Sequence, residues 1–380
     1  MIHALIVLLL TSLACSLLGV FLTLRRLSML VDAISHTVLL GIVLAFFATH
    51  DLTSPWLLIG AAILGVITVA LIESLGKTGA VKYDDAIGVV FPMLFALAVI
   101  LISRYARNVH LDTDMVLSGE VLYSGLNTFV FFGIPIAHAA LRMGALLLLD
   151  LAFILLFYKE LKVSTFDTEF AALLGLPLGA LFYALMTLTS LTAVAAFDAV
   201  GSVLVLSFFI TPAASALLWT KDLRTTLLLS ALFAVAGSFI GYRLALFFNV
   251  SISGMCAVCN MGLFTLSLLL YKNGPVATIV RRRRHTAALR RELFLIHLGN
   301  HAATTRYSEE NALSTIHEHL HWSPALVRKT ANRLKQRNEL AEQNGYYVLT
   351  PHGESVVLEL CYQYGLTLCP LPPVEMRRPQ

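Results

Sequence analysis

Ile2-His3-Ala4-Leu5-Ile6-Val7-Leu8-Leu9-Leu10-Thr11-Ser12-Leu13-Ala14-Cys15-Ser16-Leu17-Leu18-Gly19-Val20-Phe21-Leu22-Thr23 contains no Asp, Glu, Lys or Arg. At 1.5 Å per residue, roughly 20 such residues in a helix cross the hydrocarbon core of a bilayer. Outward from this run, similar stretches recur at about 31–50, 55–75, 86–102, 137–158, 177–197, 199–219, 225–247 and 252–272. The pattern predicts an all-α polytopic membrane protein with about nine transmembrane helices. Residues 121–136 are also apolar but are broken by Gly125, Gly133 and Pro135. They are expected to form a re-entrant or interfacial piece, which a membrane tolerates only where protein or water covers the backbone. The first span is too long for a removed signal peptide and lacks its basic start and small-residue cleavage site.

Composition agrees. Of 380 residues, 58% are hydrophobic and 13% charged, against roughly 45–50% and 25% in soluble domains; mean hydropathy is +0.79. A single soluble enzyme, a disordered chain and a fibrous repeat are excluded. Charge is uneven: residues 1–272 hold 13 Lys+Arg and 14 Asp+Glu, and residues 273–380 hold 14 and 9. The expected organisation is a transmembrane domain at 1–272, a basic linker at 273–284, a small cytoplasmic domain at 285–365 and a flexible tail at 366–380. Lys272-Asn273-Gly274-Pro275 and the run Arg281–Arg284 mark the linker. That run reads as a stop-transfer and headgroup anchor. The five cysteines do not make a disulfide framework, and Cys256-Ala257-Val258-Cys259 has no second pair to complete a zinc site.

Nine spans place the termini on opposite sides. With the N-terminus outside, inner loops carry Arg25, Arg26, Lys77, Lys82, Lys159, Lys162, Lys221 and Arg224, and outer ones Arg104, Arg107, Arg142 and Arg243. The positive-inside rule selects this orientation, with a cytoplasmic C-terminal domain.

Ionisable residues inside spans are costly and mark function. In Val31-Asp32-Ala33-Ile34-Ser35-His36, Asp32 and His36 stand four apart and share a helix face. Carboxylate plus imidazole suits zinc, manganese or ferrous iron; the plainer alternative is a carboxylate orienting a histidine at a helix interface. His50, Asp51, His110, Asp112 and Asp114 fall at loops or span ends. His138 and Asp150 are twelve residues apart, too far along a helix to share one ion, so pairing with another helix is expected. Asp198 precedes Gly201, Ser202 and a run of small residues reaching Pro212, which suits close packing around a broken helix. In the loop after the fifth span, Asp167 is placed to cap a short helix, Glu169 to complement its dipole, and Gly175 and Pro177 to end it. Such a helix suits docking of a soluble partner. Leu75-Gly76-Lys77-Thr78 ends like a phosphate-binding loop, but Leu71 occupies the position of the required glycine. The chain therefore lacks its own nucleotide site and is not read as an enzyme.

Four blocks resemble the membrane permease subunit of zinc/manganese/iron ABC importers: Leu24-Arg25-Arg26-Leu27-Ser28 with Asp32-Ala33-Ile34-Ser35-His36; Val81-Lys82-Tyr83-Asp84-Asp85-Ala86-Ile87-Gly88; Phe166-Asp167-Thr168-Glu169-Phe170-Ala171 through Gly175-Leu176-Pro177; and Ala199-Val200-Gly201 through Thr211-Pro212-Ala213-Ala214. They occur in the family order and span residues 1–272. Leu40 departs from the family pattern, which often has proline before Gly41. The resemblance implies a bacterial inner-membrane permease that pairs with a like or related subunit. It implies a cytoplasmic ABC ATPase dimer and an extracytoplasmic metal-binding protein as partners. It makes Asp32 and His36 metal contacts and Phe166, Asp167, Glu169, Ala171 and Gly175 part of the ATPase-coupling loop, with Gly201 and Pro212 in pore packing. The ion is cargo, and no cofactor is expected to stay bound.

The tail predicts helices at about 286–301, 308–320 and 323–338, a hairpin at 340–350 turning on Asn344-Gly345, and a last helix after Pro351. This order reads as a winged helix-turn-helix. The stretch from Glu309 to Val357 resembles the N-terminal domain of iron-dependent repressors of the diphtheria-toxin repressor type. Arg328, Lys329 and Arg333 are its candidate DNA contacts; a solvated face of a docking domain is the alternative. His317, His319 and His321 resemble a metal tract, with His317 and His321 expected on one helical face. Two rivals to an ATP-driven importer are a membrane-tethered metal-responsive transcriptional regulator and an ATP-independent secondary metal transporter.

Overall fold

The computed structural model describes residues 2–51, 54, 56–79, 81–105, 121, 128–131, 134–301 and 311–366. His110, Asp112, Asp114, Arg107, Glu309, Cys369 and the tail from 367 lie outside them. Two units divide the chain, Met1–Tyr271 and Lys272–Gln380.

The first unit is built from α1 (Ile2–Leu24), α2 (Met29–Thr49), α3 (Trp56–Lys77), α4 (Tyr83–Tyr105), α5 (His138–Leu156), α6 (Tyr158–Phe166), α7 (Thr168–Leu173), α8 (Leu178–Val200), α9 (Ser202–Trp219), α10 (Leu223–Phe248) and α11 (Ile252–Leu270). All but α6 and α7 are long and apolar enough to cross a membrane, giving nine candidate spans among the described residues. α1 lies at the centre, packed on α9, α10, α5 and α8. Its partners approach closely: a Cβ on Gly19 would stand 2.1 Å from the Phe209 carbonyl oxygen. Outer helices such as α4 and α5 keep large apolar side chains exposed, including Val89, Met93, Leu148 and Leu155, as lipid-facing helices do.

The apolar segment expected to be re-entrant or interfacial contains a hairpin. Among the described residues of 121–136, Thr128–Phe131 (β1) and Ile134–Ala137 (β2) form an antiparallel hairpin with Thr128 opposite Ala137. A hairpin pairs much of its own backbone, which an apolar segment broken by Gly and Pro cannot do as a helix. The helix break also moves. α9 runs uninterrupted through the buried Pro212, and the break lies at Gly201, whose φ of 88° separates α8 from α9. There the Ser253 hydroxyl donates to the Val200 carbonyl oxygen at 2.9 Å.

The second unit contains α12 (Pro275–His301), α13 (Ile316–His319), α14 (Pro324–Gln336), the hairpin β3 (Leu340–Gln343)–β4 (Tyr346–Leu349) and α15 (Pro351–Gln363). Its own core gathers Phe294, Leu295, Leu298, Ile316, Leu334 and Val357. Asn344 (φ 50°) and Gly345 (φ 86°) make the turn that carries Gln343 opposite Tyr346. The Thr350 hydroxyl caps α15 by accepting from the Gly353 amide at 3.0 Å. Buried Glu339 pairs with Arg291, whose Nε donates to it at 2.8 Å.

Three local expectations change. The helix expected at about 286–301 starts earlier, at Pro275, because arginine is a good helix former and proline starts a helix well. α13 is short, and His321 has φ 52° outside it, so His317 and His321 do not share a helical face. Arg328 is exposed but lies away from the α12-facing side of α14, where Lys329 and Arg333 sit.

Candidate functional site

α1 ends in a left-handed turn at Arg26 (φ 61°), with the Leu27 amide bonded to the Leu22 carbonyl and the Arg26 amide to Thr23. This closes the carbonyls that a helix end leaves open. Arg25, at the same turn, reaches across the fold: Nη2 donates to Ser164 Oγ at 2.9 Å and Nε to Thr165 Oγ1 at 3.1 Å. Burial holds its guanidinium below the ordinary arginine range. The turn delivers the chain into α2, where Asp32 and His36 follow.

Asp32 Oδ1 and His36 Nε2 are 3.7 Å apart, and both side chains are 41% exposed. The pair therefore lines an accessible face rather than the sealed core. The imidazole stacks on Phe91 of α4, with ring centroids 5.5 Å apart, and meets the edge of Phe95 at 5.9 Å. Ser35 between them is buried, and its hydroxyl donates back to the Asp32 carbonyl at 2.6 Å. Among the described residues no group of three His, Cys, Asp or Glu side chains is arranged to hold a metal. The site thus offers one carboxylate, one imidazole and room for water.

The opposite side of α2 is locked to α3. A Cβ on Gly41 would stand 2.5 Å from the Gly60 carbonyl oxygen, and Thr68 donates to Thr37 at 3.0 Å. Close helix approach at small residues is the usual way membrane helices fix one another.

Other charged residues of the spans join α5 to α8. Asp150 is fully buried on α5 and accepts from the Thr192 hydroxyl of α8 at 2.9 Å. Asp198 pairs with Arg142, again tying α8 to α5. The two cysteines of Cys256-x-x-Cys259 are free thiols, and Cys256 packs against Gly241.

After α6 the chain turns at Asp167, whose Oδ1 accepts from the Phe170 amide at 2.9 Å and caps α7. Gly175 (φ 71°) ends it. Phe166, Phe170, Leu173 and Leu174 are exposed, Leu173 at 86%, while Ala171 is fully buried. Ala171 therefore packs α7 onto the protein and offers no contact surface; Glu169 is exposed.

Phe91, Phe95 and Arg25 escaped the sequence reading as site residues. Two aromatics four apart on α4 mark one helix face, but aromatics are ordinary in spans. The Arg25 partners lie 139 and 140 residues away.

Residues 1–271 match the family described as the ABC 3 transport family. The chain is 41% identical over 349 residues to the "Zinc transport system membrane protein TroD" of Treponema pallidum (strain Nichols), covering 91% of this chain and 94% of that one. It is 42% identical over 288 residues to the "Manganese transport system membrane protein MntD" of Bacillus subtilis (strain 168), covering 74% and 95%. Among solved structures it resembles "PsaBC from Streptococcus pneumoniae in complex with Fab", with 27% identity, a TM-score of 0.59, and coverage of 74% and 94%.

Proposed function

We propose, for a chain that belongs to the ABC 3 transport family, that Asp32 and His36 hand a divalent transition-metal ion across the membrane. The chain is the membrane permease of an ABC metal importer. One observation carries the reading of the path: a carboxylate and an imidazole 3.7 Å apart on a half-exposed face of α2, inside an otherwise apolar span. Two protein donors completed by water make a loose station, which suits an ion that must leave again. Phe91 and Phe95 hold the imidazole plane while its nitrogen turns toward the ion.

The cargo is manganese or zinc. Oxygen and nitrogen donors accept both, and the two relatives above are named for one each. Ferrous iron fits the same donors and forms the third arm of the test.

The energy comes from a separate cytoplasmic ABC ATPase dimer seated on α7, where Phe170, Leu173 and Leu174 offer an apolar contact on a capped helix. Motion there reaches the ion through Arg25, whose hydrogen bonds join the end of α6 to the turn that opens α2. A second permease copy or relative and an extracytoplasmic metal-binding protein complete the importer. It sits in the bacterial inner membrane with the N-terminus outside and the C-terminal unit in the cytoplasm.

We read the C-terminal unit as a winged helix-turn-helix, supported by the order α13, α14, hairpin, α15. That order favours a second reading, a membrane-tethered metal-responsive regulator contacting DNA through the exposed Arg328; Lys329 and Arg333 face α12 instead. Sequence-specific duplex binding by the detergent-purified chain, abolished by Arg328→Gln, is its test.

The decisive experiment is uptake of manganese, zinc and iron in cells carrying this chain with its ATPase, at matched membrane expression. Asp32→Ala and His36→Ala are expected to lower uptake of one metal at least tenfold, the loss of about 1.4 kcal/mol of stabilisation on the path. Unchanged uptake in both variants removes the pair from the path. Uptake that persists with an inactive ATPase replaces the importer with a secondary transporter.

A further inference from the structure

Metal transport leaves one strongly charged feature of the C-terminal unit unused. α12 and α14 border a cavity of about 880 Å³. Arg283, Arg284 and Arg290 line it from α12, Lys329 and Arg333 from α14, and Arg337 from the residue that caps the end of α14. No carboxylate is among its described lining residues. A seventh cation at the wall, Arg291, is committed to Glu339. The ion pairs among the described residues of this unit are Arg291–Glu339, His317–Glu318 and Lys335–Glu342, so the six are uncommitted. Six cationic heads around one space repel one another, and an anion between them relieves that repulsion. Arginine forks match phosphate oxygens in pairs.

The first turns of α12 indicate where the phosphate comes from. Val276, Ile279 and Val280 are exposed there. A second depression of about 590 Å³ is lined by Ala277, Val280, Arg281 and Arg284. Exposed aliphatic side chains followed on the same helix by the run Arg281–Arg284 are the composition of a segment that lies in a bilayer interface. Only Tyr271–Gly274 separate α12 from the last span, a tether of at most about 18 Å. Duplex DNA suits the geometry less well. A reading helix must be free to enter a major groove about 12 Å wide, whereas the Lys329–Arg333 side of α14 is turned onto the arginines of α12.

We propose that the cavity between α12 and α14 binds the phosphate headgroup of an anionic phospholipid and so fastens the C-terminal unit to the membrane surface. The full chain, purified in detergent, is incubated with dioctanoyl phosphatidylglycerol, dioctanoyl phosphatidylcholine, pyrophosphate or a 20-base-pair duplex, and adducts are read by native mass spectrometry. Phosphatidylglycerol is expected to bind at least tenfold more tightly than phosphatidylcholine. The double variant Arg290→Gln/Arg333→Gln removes two exposed guanidinium groups from opposite walls and is expected to weaken that binding roughly tenfold or more. Arg328→Gln, on the same helix but outside the cavity, leaves it unchanged. Far-UV circular dichroism and size exclusion verify that the variants fold. Equal binding of the two lipids overturns the proposal, as does undiminished phosphatidylglycerol binding by the double variant. Binding of pyrophosphate or the duplex in a manner lost in the double variant, without phosphatidylglycerol binding, also overturns it and assigns the cavity to a free phosphate or to DNA.

Discussion

Single residues fix where α2 can stand. A side chain at Gly41 would enter the Gly60 carbonyl, so Gly41→Leu must force α2 and α3 apart. The expected cost is about 1–3 kcal/mol, typical of overpacking, read as a lower melting temperature of the purified chain. Thr37→Val loses the bond from Thr68 and the back-bond to the Ile34 carbonyl; the contact between helices is expected to account for about 0.6 kcal/mol of the cost, the average for a polar contact between membrane helices. Asp32 and His36 stood out in the sequence because charge is expensive inside an apolar run. Their surroundings did not. Neither the stack of His36 on Phe91 nor the reach of Arg25 to Ser164 follows from local spacing, since both join segments brought together only by the fold.

At the scale of elements, local chemistry was the best guide. The cap at Asp167, the stop at Gly175, the Asn344-Gly345 turn and the proline starts of α14 and α15 all follow from side chains acting on backbone a few residues away. Composition misled about one helix start: the expected start near 286 lies well inside α12, which begins at Pro275 and includes Arg281–Arg284. Proline misled likewise, since α9 continues through Pro212 while glycine at 201 makes the break. The exposed apolar rim of α7 supports a specific expectation. Leu173→Asp keeps the helix, because Leu173 is almost fully solvated, yet it is expected to lower ATP-dependent uptake at least tenfold by preventing ATPase docking, measured by co-purification of the two subunits. A pH effect belongs to α10. Asp222 caps its start, and the Thr225 amide holds the Asp222 carboxyl below the ordinary carboxylate range. A lowered folded value gives stability that is present above the unfolded pKa and lost as pH falls through the folded one. Amide exchange at Thr225 and Thr226 is therefore expected to accelerate only in strong acid, and Asp222→Asn to remove that dependence.

Across the whole molecule, two separate apolar cores stand behind two units, so unfolding is expected in more than one step. Arg291→Leu strands buried Glu339 without its partner, a loss of about 3–5 kcal/mol. Scanning calorimetry of the detergent-solubilised chain is expected to show one transition lowered and the other unmoved; a common shift of both would mean that the units melt together. A different consequence follows from the central place of α1. α1 packs against helices made much later: Ser230 donates to the Ser16 carbonyl across 214 residues of chain, and Gly19 fits against Phe209. Synthesis at about 5–20 residues per second leaves that interval at roughly 10–40 s. For that time α1 stands in the translocon or the lipid with its Gly19 notch and Ser16 carbonyl not yet covered by the helices that later close over them, while its Thr11, Ser12 and Ser16 hydroxyls are already satisfied by carbonyls of the same helix.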